Sequence, residues 1–140
     1  LNIENECNRY TELLKKYPAD IVCMGIGENG HIAFNDPHVA NFRDDKMVKA
    51  VDLDEKCRNQ QVNDGCFQDI SDVPKQAITL TIPALIRAKH LICTVPAASK
   101  AEAVRNTVFG EISEACPATI MRLHQKAVMF TDKDSGKYLL

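Results

Sequence analysis

The chain has 140 residues, 45% hydrophobic and 26% charged, with 17 basic against 19 acidic side chains and a net charge of −2. That length suits one domain with one sizeable core, and the near-neutral balance excludes the basic footprint of a nucleic-acid or membrane-surface protein. No apolar run approaches the ~18 residues that span a bilayer, and no signal-peptide pattern is found, so a cytoplasmic location is expected.

Ile3 to Lys16 reads as an amphipathic helix. Ile3, Cys7, Tyr10, Leu13 and Leu14 share one face at i, i+3, i+4 spacing, and Pro18 ends it. Asp20 to Met24 reads as a buried strand, followed by a glycine-rich loop and a charged connection from Phe42 to Lys46. Met47 to Leu53 partly alternates and predicts a strand. Asp54 is suited to cap a short helix from Glu55 to about Val62, and Asp64-Gly65 marks a turn. Gln76 to Ile82 alternates and predicts a strand, and Pro83 opens a helix to about Ala88. His90 to Val95 reads as a second buried strand. Ser99 is placed to cap a helix from Lys100 to about Phe109, with Ala101, Val104 and Val108 inward. Pro117 to Leu123 predicts a helix and Ala127 to Thr131 a last strand. The alternation predicts an α/β domain over residues 1–140: a Rossmann-like, mostly parallel sheet flanked by helices.

The six cysteines, at positions 7, 23, 57, 66, 93 and 116, form no C-x-x-C pair, so the zinc and thioredoxin templates fail. Cys23 and Cys93 lie in apolar runs and are expected to be small buried hydrophobes, all six being free thiols. His31, His38, His90 and His124 are scattered, with no metal-ligand spacing, so no metal or other cofactor is expected.

The loop Gly25-Ile26-Gly27-Glu28-Asn29-Gly30-His31-Ile32-Ala33-Phe34-Asn35-Asp36-Pro37 carries most of the functional signal. Read literally, Gly25-x-Gly27-x-x-Gly30 after a strand is a dinucleotide fingerprint. That reading requires a helix after the third glycine, and Pro37 interrupts one about two turns later. A histidine five residues before an aspartate suggests instead a base held by a carboxylate. Each member also has a bland reading: His31 as a loop cap, Asn29 and Asp36 as turn residues.

The thirteen residues GIGENGHIAFNDP resemble the signature of the glucosamine-6-phosphate deaminases (isomerases), and weaker similarity runs through most of the chain. The related 6-phosphogluconolactonases share the first half of the motif but continue with Ser-Leu-Phe-Pro, so Asp36 favours the deaminase side. The resemblance implies a partial version of the fold shared by both groups, within a family chain of about 250 residues, a normal size for one large domain. The sequence begins at Leu1 rather than methionine, and it is expected to be the carboxyl-terminal part of such a chain, catalytically silent by itself. By the same resemblance His31 opens the sugar ring and Asp36 orients it. Asn29 stands where many members carry an aspartate; it assists as a hydrogen-bond partner but cannot carry charge. Lys100 is expected to hold the phosphate at a helix start, where N–H groups favour anions. Gly27 and Gly30 are expected to line the substrate. Gln61 aligns with a phosphate-binding arginine, and Arg58, one turn earlier, is the other candidate for that role.

The function expected is conversion of an amino-sugar 6-phosphate to a ketose phosphate and ammonia. A lactonase acting on a phosphorylated sugar lactone, and a sugar-phosphate-binding module without chemistry, are the alternatives; Asn29 and Gln61 are what the last would predict. The expected partner is a small sugar phosphate, without nucleic acid or membrane. A homo-oligomer is compatible with the resemblance, since family members include monomers and hexamers.

Overall fold

Asn2 caps the first helix, its side-chain oxygen accepting from Asn5 N at 2.9 Å. A computed structural model describes residues 2–140. That helix, α1, runs Ile3–Lys16, with Glu4 and Glu6 in its first turn and Lys15 and Lys16 in its last, complementing the helix dipole. The next elements are β1 (Ile21–Met24), β2 (Val48–Asp52), α2 (Glu55–Asn63), β3 (Gln76–Leu80), α3 (Ile82–Ile86), β4 (His90–Val95), α4 (Ala101–Phe109) and β5 (Ala127–Thr131). Short 3-10 segments occupy Ile70–Asp72, Ala98–Lys100 and Pro117–Leu123.

The expected parallel sheet is present as three strands, in the order β1-β4-β5, all parallel. β2 and β3 do not join it. They pair antiparallel as a separate ribbon, from Val48 opposite Leu80 to Asp52 opposite Gln76. The reason is local: Leu53 N donates to Lys75 O at 2.9 Å, so the segment carrying α2 leaves and returns at one end, as in a wide hairpin. A parallel pairing would need a crossover.

The core lies on one face of the parallel sheet. Leu91, Cys93 and Val95 alternate inward from β4 and meet Ile82 and Leu85 of α3, Ala103 and Val104 of α4, and Ala118, Ile120 and Met121. Each fully buried large aliphatic side chain there contributes about 1.5–3 kcal/mol. Cys93 is buried as expected, and the burial pushes its thiol up to about 11. All six cysteines are free.

The opposite face corrects two expectations. Ile21 is 58% exposed, Val128 47% and Phe130 55%, and Cys23 is exposed rather than buried. β1 is therefore not a buried strand: no layer covers that side of the sheet among the described residues. The apolar face of α1 packs beside β2 and also stays open, with no buried residue.

Helix starts agree where a cap was legible. Asp54 Oδ1 accepts Cys57 N at 2.6 Å and starts α2, and Thr81 caps α3, which starts at Ile82, one residue before the expected range. The Ser99 cap does not form. A 3-10 turn over Ala98–Lys100 carries the chain into α4, and the position before that helix is Lys100, without a side-chain cap. Pro117–Leu123 is a 3-10 rather than an α-helix. Its Ala118 N–H is drawn out to Gly30 O at 2.8 Å, and Thr119 N closes onto Cys116 O at 2.9 Å, the tighter i→i+3 pattern.

Candidate active site

Because β1 and β4 are parallel neighbours, the loops after both strands leave from the same, carboxyl edge of the sheet. In open α/β sheets this is where ligands bind. The loop after β1 is folded by its own backbone: Gly27 N donates to His31 O at 2.9 Å and Gly30 N to Gly27 O at 3.0 Å. No helix follows Gly30, in keeping with the interruption expected from Pro37; the chain turns instead through residue 36. Asn35 is fully buried and anchors the far end, its amide donating to Ile32 O and to Leu80 O, both at 2.9 Å. This bond ties the loop to the end of the β2–β3 ribbon.

Three polar side chains close a triangle inside the loop. Asn29 Nδ2 donates to Asp36 Oδ1 at 2.9 Å. His31 Nδ1 lies 2.8 Å from Asn29 Oδ1 and 2.9 Å from Asp36 Oδ1. Asn29 Oδ1 also accepts the His31 N–H at 3.0 Å. The carboxylate can only accept, so the Asn29 amide is fixed with its nitrogen toward Asp36 and its oxygen toward His31. Both neighbours of Nδ1 are then acceptors, so Nδ1 carries the hydrogen and Nε2 keeps a free lone pair. The asparagine is a working member of the triangle: it holds the ring without adding a second negative charge.

Asp36 is 0% exposed. Burial pushes its carboxyl up, but hydrogen bonds from His31 and Asn29, the imidazole's charge and the Cys57 thiol pull it down further, so it ends below the ordinary carboxylate value. It is thus a carboxylate at neutral pH, placed to stabilise an imidazolium.

The two glycines have shape requirements of different kinds. A Cβ at Gly27 would lie 2.1 Å from His31 Cε1 and 2.3 Å from Nδ1, so the bare backbone is the bed on which the ring rests. Gly30 has φ +81° and its Cβ would meet Cys116 Sγ at 2.4 Å, so both backbone conformation and space demand glycine there.

On the neighbouring loop, Ala97 adopts φ 81°, a region that disfavours a side chain. Its N–H is held by Asp132 Oδ2 at 2.9 Å. Asp132 also accepts from Ser135 N and Asp134 N, and these bonds, Ala97's first, hold its carboxyl down at about 2. Lys100 follows, half-buried, with no ion pair among the described residues. The strained, tethered turn therefore presents a lysine and the start of α4 at the same sheet edge as His31.

Not every expected residue gathers there. Arg58 donates from its guanidinium to Ile70 O at 2.6 Å and Val73 O at 3.1 Å. It holds the segment between α2 and β3. No hydrogen bond joins Gln61 to the loop among the described residues; its neighbour Gln60 makes that link, accepting Glu28 N at 3.3 Å. Cys57 was not anticipated at all. It is buried, with Sγ in the same cluster as His31 and Asp36. Burial, then the charge and hydrogen bond of Asp36 and the charge of Asp54, push its thiol to about 12, so it acts as a weak donor and not as a nucleophile. No local pattern marks it; only the docking of α2 against the loop brings it in.

A parallel α/β sheet with a histidine–carboxylate pair and a lysine-bearing helix start at its carboxyl edge defines a Rossmann-like protein arranged for proton transfer. Residues 1–130 match the family model of glucosamine-6-phosphate isomerases/6-phosphogluconolactonase, and the chain belongs to that family. It is 40% identical over 134 residues to a glucosamine-6-phosphate deaminase of Bacillus cytotoxicus, covering 96% of this chain and 49% of that protein. It is 36% identical over 138 residues to the deaminase of Streptococcus pyogenes, covering 99% and 57%. Among solved structures, a monomeric glucosamine-6-phosphate deaminase superposes with a TM-score of 0.90 at 35% identity, over 97% of this chain and 55% of the other. A 6-phosphogluconolactonase from Leishmania guyanensis shares the fold at a TM-score of 0.72 and 18% identity, over 99% and 53%. The chain thus spans about half the length of the relatives it matches.

Proposed function

We propose that this chain forms the ring-opening and phosphate-holding part of a glucosamine-6-phosphate deaminase, which turns glucosamine 6-phosphate and water into fructose 6-phosphate and ammonia. The observation that supports this most is the Asn29–His31–Asp36 triangle, which leaves Nε2 of His31 as a free base at the sheet edge. Nε2 takes the proton of the C1 hydroxyl and returns it to the ring oxygen as the pyranose opens. Asp36 offsets the charge on the imidazole between these two transfers, and Asn29 keeps Nδ1 as the protonated nitrogen. Lys100 and the start of α4 hold the phosphate. Gly27 and Gly30 shape the loop, and Gln61 is a further contact to the sugar. Arg58 acts on the scaffold.

Moving the proton from C2 to C1 needs a second base, and no residue of this chain is matched to it. The family resemblance assigns that base to the amino-terminal half of longer members. A lactonase would lack a reason for Asp36, and the lactonases are similar here at the level of fold alone. A cytoplasmic location goes with this reading.

The test is to fuse the amino-terminal half of the Bacillus cytotoxicus deaminase ahead of this chain and measure ammonia release from glucosamine 6-phosphate. The fusion is expected to turn over, and His31→Gln to abolish turnover without abolishing binding. The 140-residue chain alone should bind weakly and release no ammonia. A folded fusion whose His31→Gln variant deaminates at the parent rate would overturn the assignment.

A further inference from the structure

Asp36 also belongs to a second group of polar atoms that the proton relay does not use. One carboxylate oxygen of Asp36, one of Asp54 and a ring nitrogen of His38 lie within 4.8 Å of one another. On Asp36, Oδ1 takes the bonds from His31 and Asn29. Oδ2 is buried and meets no donor at hydrogen-bond geometry among the described residues, the weakly donating Cys57 thiol being the further group that acts on this carboxylate. A carboxylate oxygen with no donor stronger than a thiol, in a fully buried residue, is costly, and a cation would satisfy it.

The other two groups supply matching lone pairs. His38 Nε2 lies 2.9 Å from the carbonyl oxygen of Asp52. A carbonyl only accepts, so Nε2 carries the hydrogen and Nδ1 of the neutral ring presents a lone pair. That Nδ1 is 4.0 Å from Asp54 Oδ2, too long for a hydrogen bond. Two ligands of one tetrahedral ion at bond lengths of about 2.0–2.2 Å stand about 3.3–3.6 Å apart, so the pair closes by about half an ångström on binding. Asp54 is oriented in turn, its Oδ1 held by Cys57 N at 2.6 Å so that Oδ2 is the oxygen left over. The group thus joins two carboxylates and an imidazole.

We propose that Asp36, His38 and Asp54 bind one divalent cation of the Zn²⁺ or Co²⁺ type, through Asp36 Oδ2, His38 Nδ1 and Asp54 Oδ2. A nitrogen with two carboxylate oxygens suits these ions better than Mg²⁺ or Ca²⁺, which favour oxygen throughout. The outer partners are those that orient metal ligands: a backbone carbonyl on the far nitrogen of the histidine and a backbone N–H on the far oxygen of the carboxylate. His38 and Asp54 are part-exposed, at 44% and 37% of their side chains, which opens an entry from solvent and a position for water. Where the deaminase reading holds, the ion withdraws charge from the carboxylate that steadies His31 and slows ring opening; the site itself does not depend on that reading.

The test measures binding without turnover. In a chain with the exposed Cys23 and Cys66 changed to serine, Co²⁺ is titrated and followed by its visible absorption, and Zn²⁺ by competition with a chromophoric chelator. One equivalent is expected to bind. His38→Ala and Asp54→Asn should each weaken it about tenfold or more, and His90→Gln, at an exposed histidine on β4, should leave it unchanged. Asparagine is as good a helix cap as aspartate, so Asp54→Asn keeps α2 intact; far-UV circular dichroism checks this. A chain that takes up neither ion, or whose His38→Ala and Asp54→Asn variants bind as the parent does, would overturn the proposal.

Discussion

Gly27→Ala is the sharpest probe of the loop. Gly27 does not have a positive φ, so its backbone accepts alanine, and whatever the change costs comes from the His31 ring. The added methyl would sit 2.1, 2.3 and 2.4 Å from Cε1, Nδ1 and Nε2. The imidazole must move off its bed and give up its contacts at 2.8 Å to Asn29 and 2.9 Å to Asp36. Overpacking of this kind costs about 1–3 kcal/mol, and losing a hydrogen bond to a buried carboxylate about 1.5–3 kcal/mol more. A loss of roughly 3–5 kcal/mol is expected by urea or thermal denaturation, together with loss of the Nδ1–H tautomer in ¹⁵N NMR of the imidazole. The reasoning also predicts an interaction. In a His31→Ala background the ring is gone, and Gly27→Ala should then be neutral or stabilising by up to about 1 kcal/mol, as for a glycine with nothing opposite it. If Gly27→Ala costs the same in both backgrounds, the ring is not what forbids a side chain at position 27, and the account of the loop fails.

Lys100→Gln should weaken binding of inorganic phosphate or a sugar phosphate about tenfold, the scale of one charge-assisted contact, with little change in thermal midpoint because Lys100 has no ion pair to lose among the described residues; equal phosphate affinity by calorimetry would remove it from the site. Arg58→Met should do the opposite. It deprives the carbonyls of Ile70 and Val73 of their donor and should cost about 2–4 kcal/mol in denaturant, while phosphate affinity in the folded variant stays at the parent value. Asp132 supplies the pH prediction. Its carboxyl is held at about 2 by the Ala97, Ser135 and Asp134 N–H groups, below the unfolded value of about 3.9. The stabilisation is therefore complete above about pH 4 and lost as the pH falls toward about 2. Asp132→Asn should remove this acid-side slope from the denaturation profile, and an unchanged slope would show that the tether of Ala97 carries no such linkage.

Much of the architecture was legible from local signals. The strands His90–Val95 and Ala127–Thr131 and the helix Ile3–Lys16 follow apolar periodicity to the residue, and Asp54 announces α2 through its cap. Ser99 fails as a cap because the chain enters α4 through a 3-10 turn, a difference in backbone path that composition does not encode. Asp20–Met24 reads as buried because it is apolar, but an apolar strand needs a layer on each face to be buried, and one face here has none among the described residues. Of the site, Asn29, His31 and Asp36 were visible because they lie within eight residues of one motif. Arg58 and Gln61 were placed by alignment alone, and the direction of a helical side chain depends on what the helix packs against. The scattered histidines gave no metal template, and the group around His38 gathers only because the β2–β3 ribbon folds back over the motif loop.

By itself, the sequence determines the α/β character, the positions of most elements and a thirteen-residue loop that carries its own base and carboxylate. These are short-range properties, set by periodicity, caps and turn residues within a few positions. The tertiary structure decides the rest: that β2 and β3 stand apart as an antiparallel ribbon, that Arg58 serves the scaffold, that Cys57, Gln60 and Asp54 reach the motif loop, and that one face of the parallel sheet is open. Each of these depends on residues 12 or more positions apart meeting in space, and such meetings are selected by which surfaces bury together and which polar groups find partners when they do.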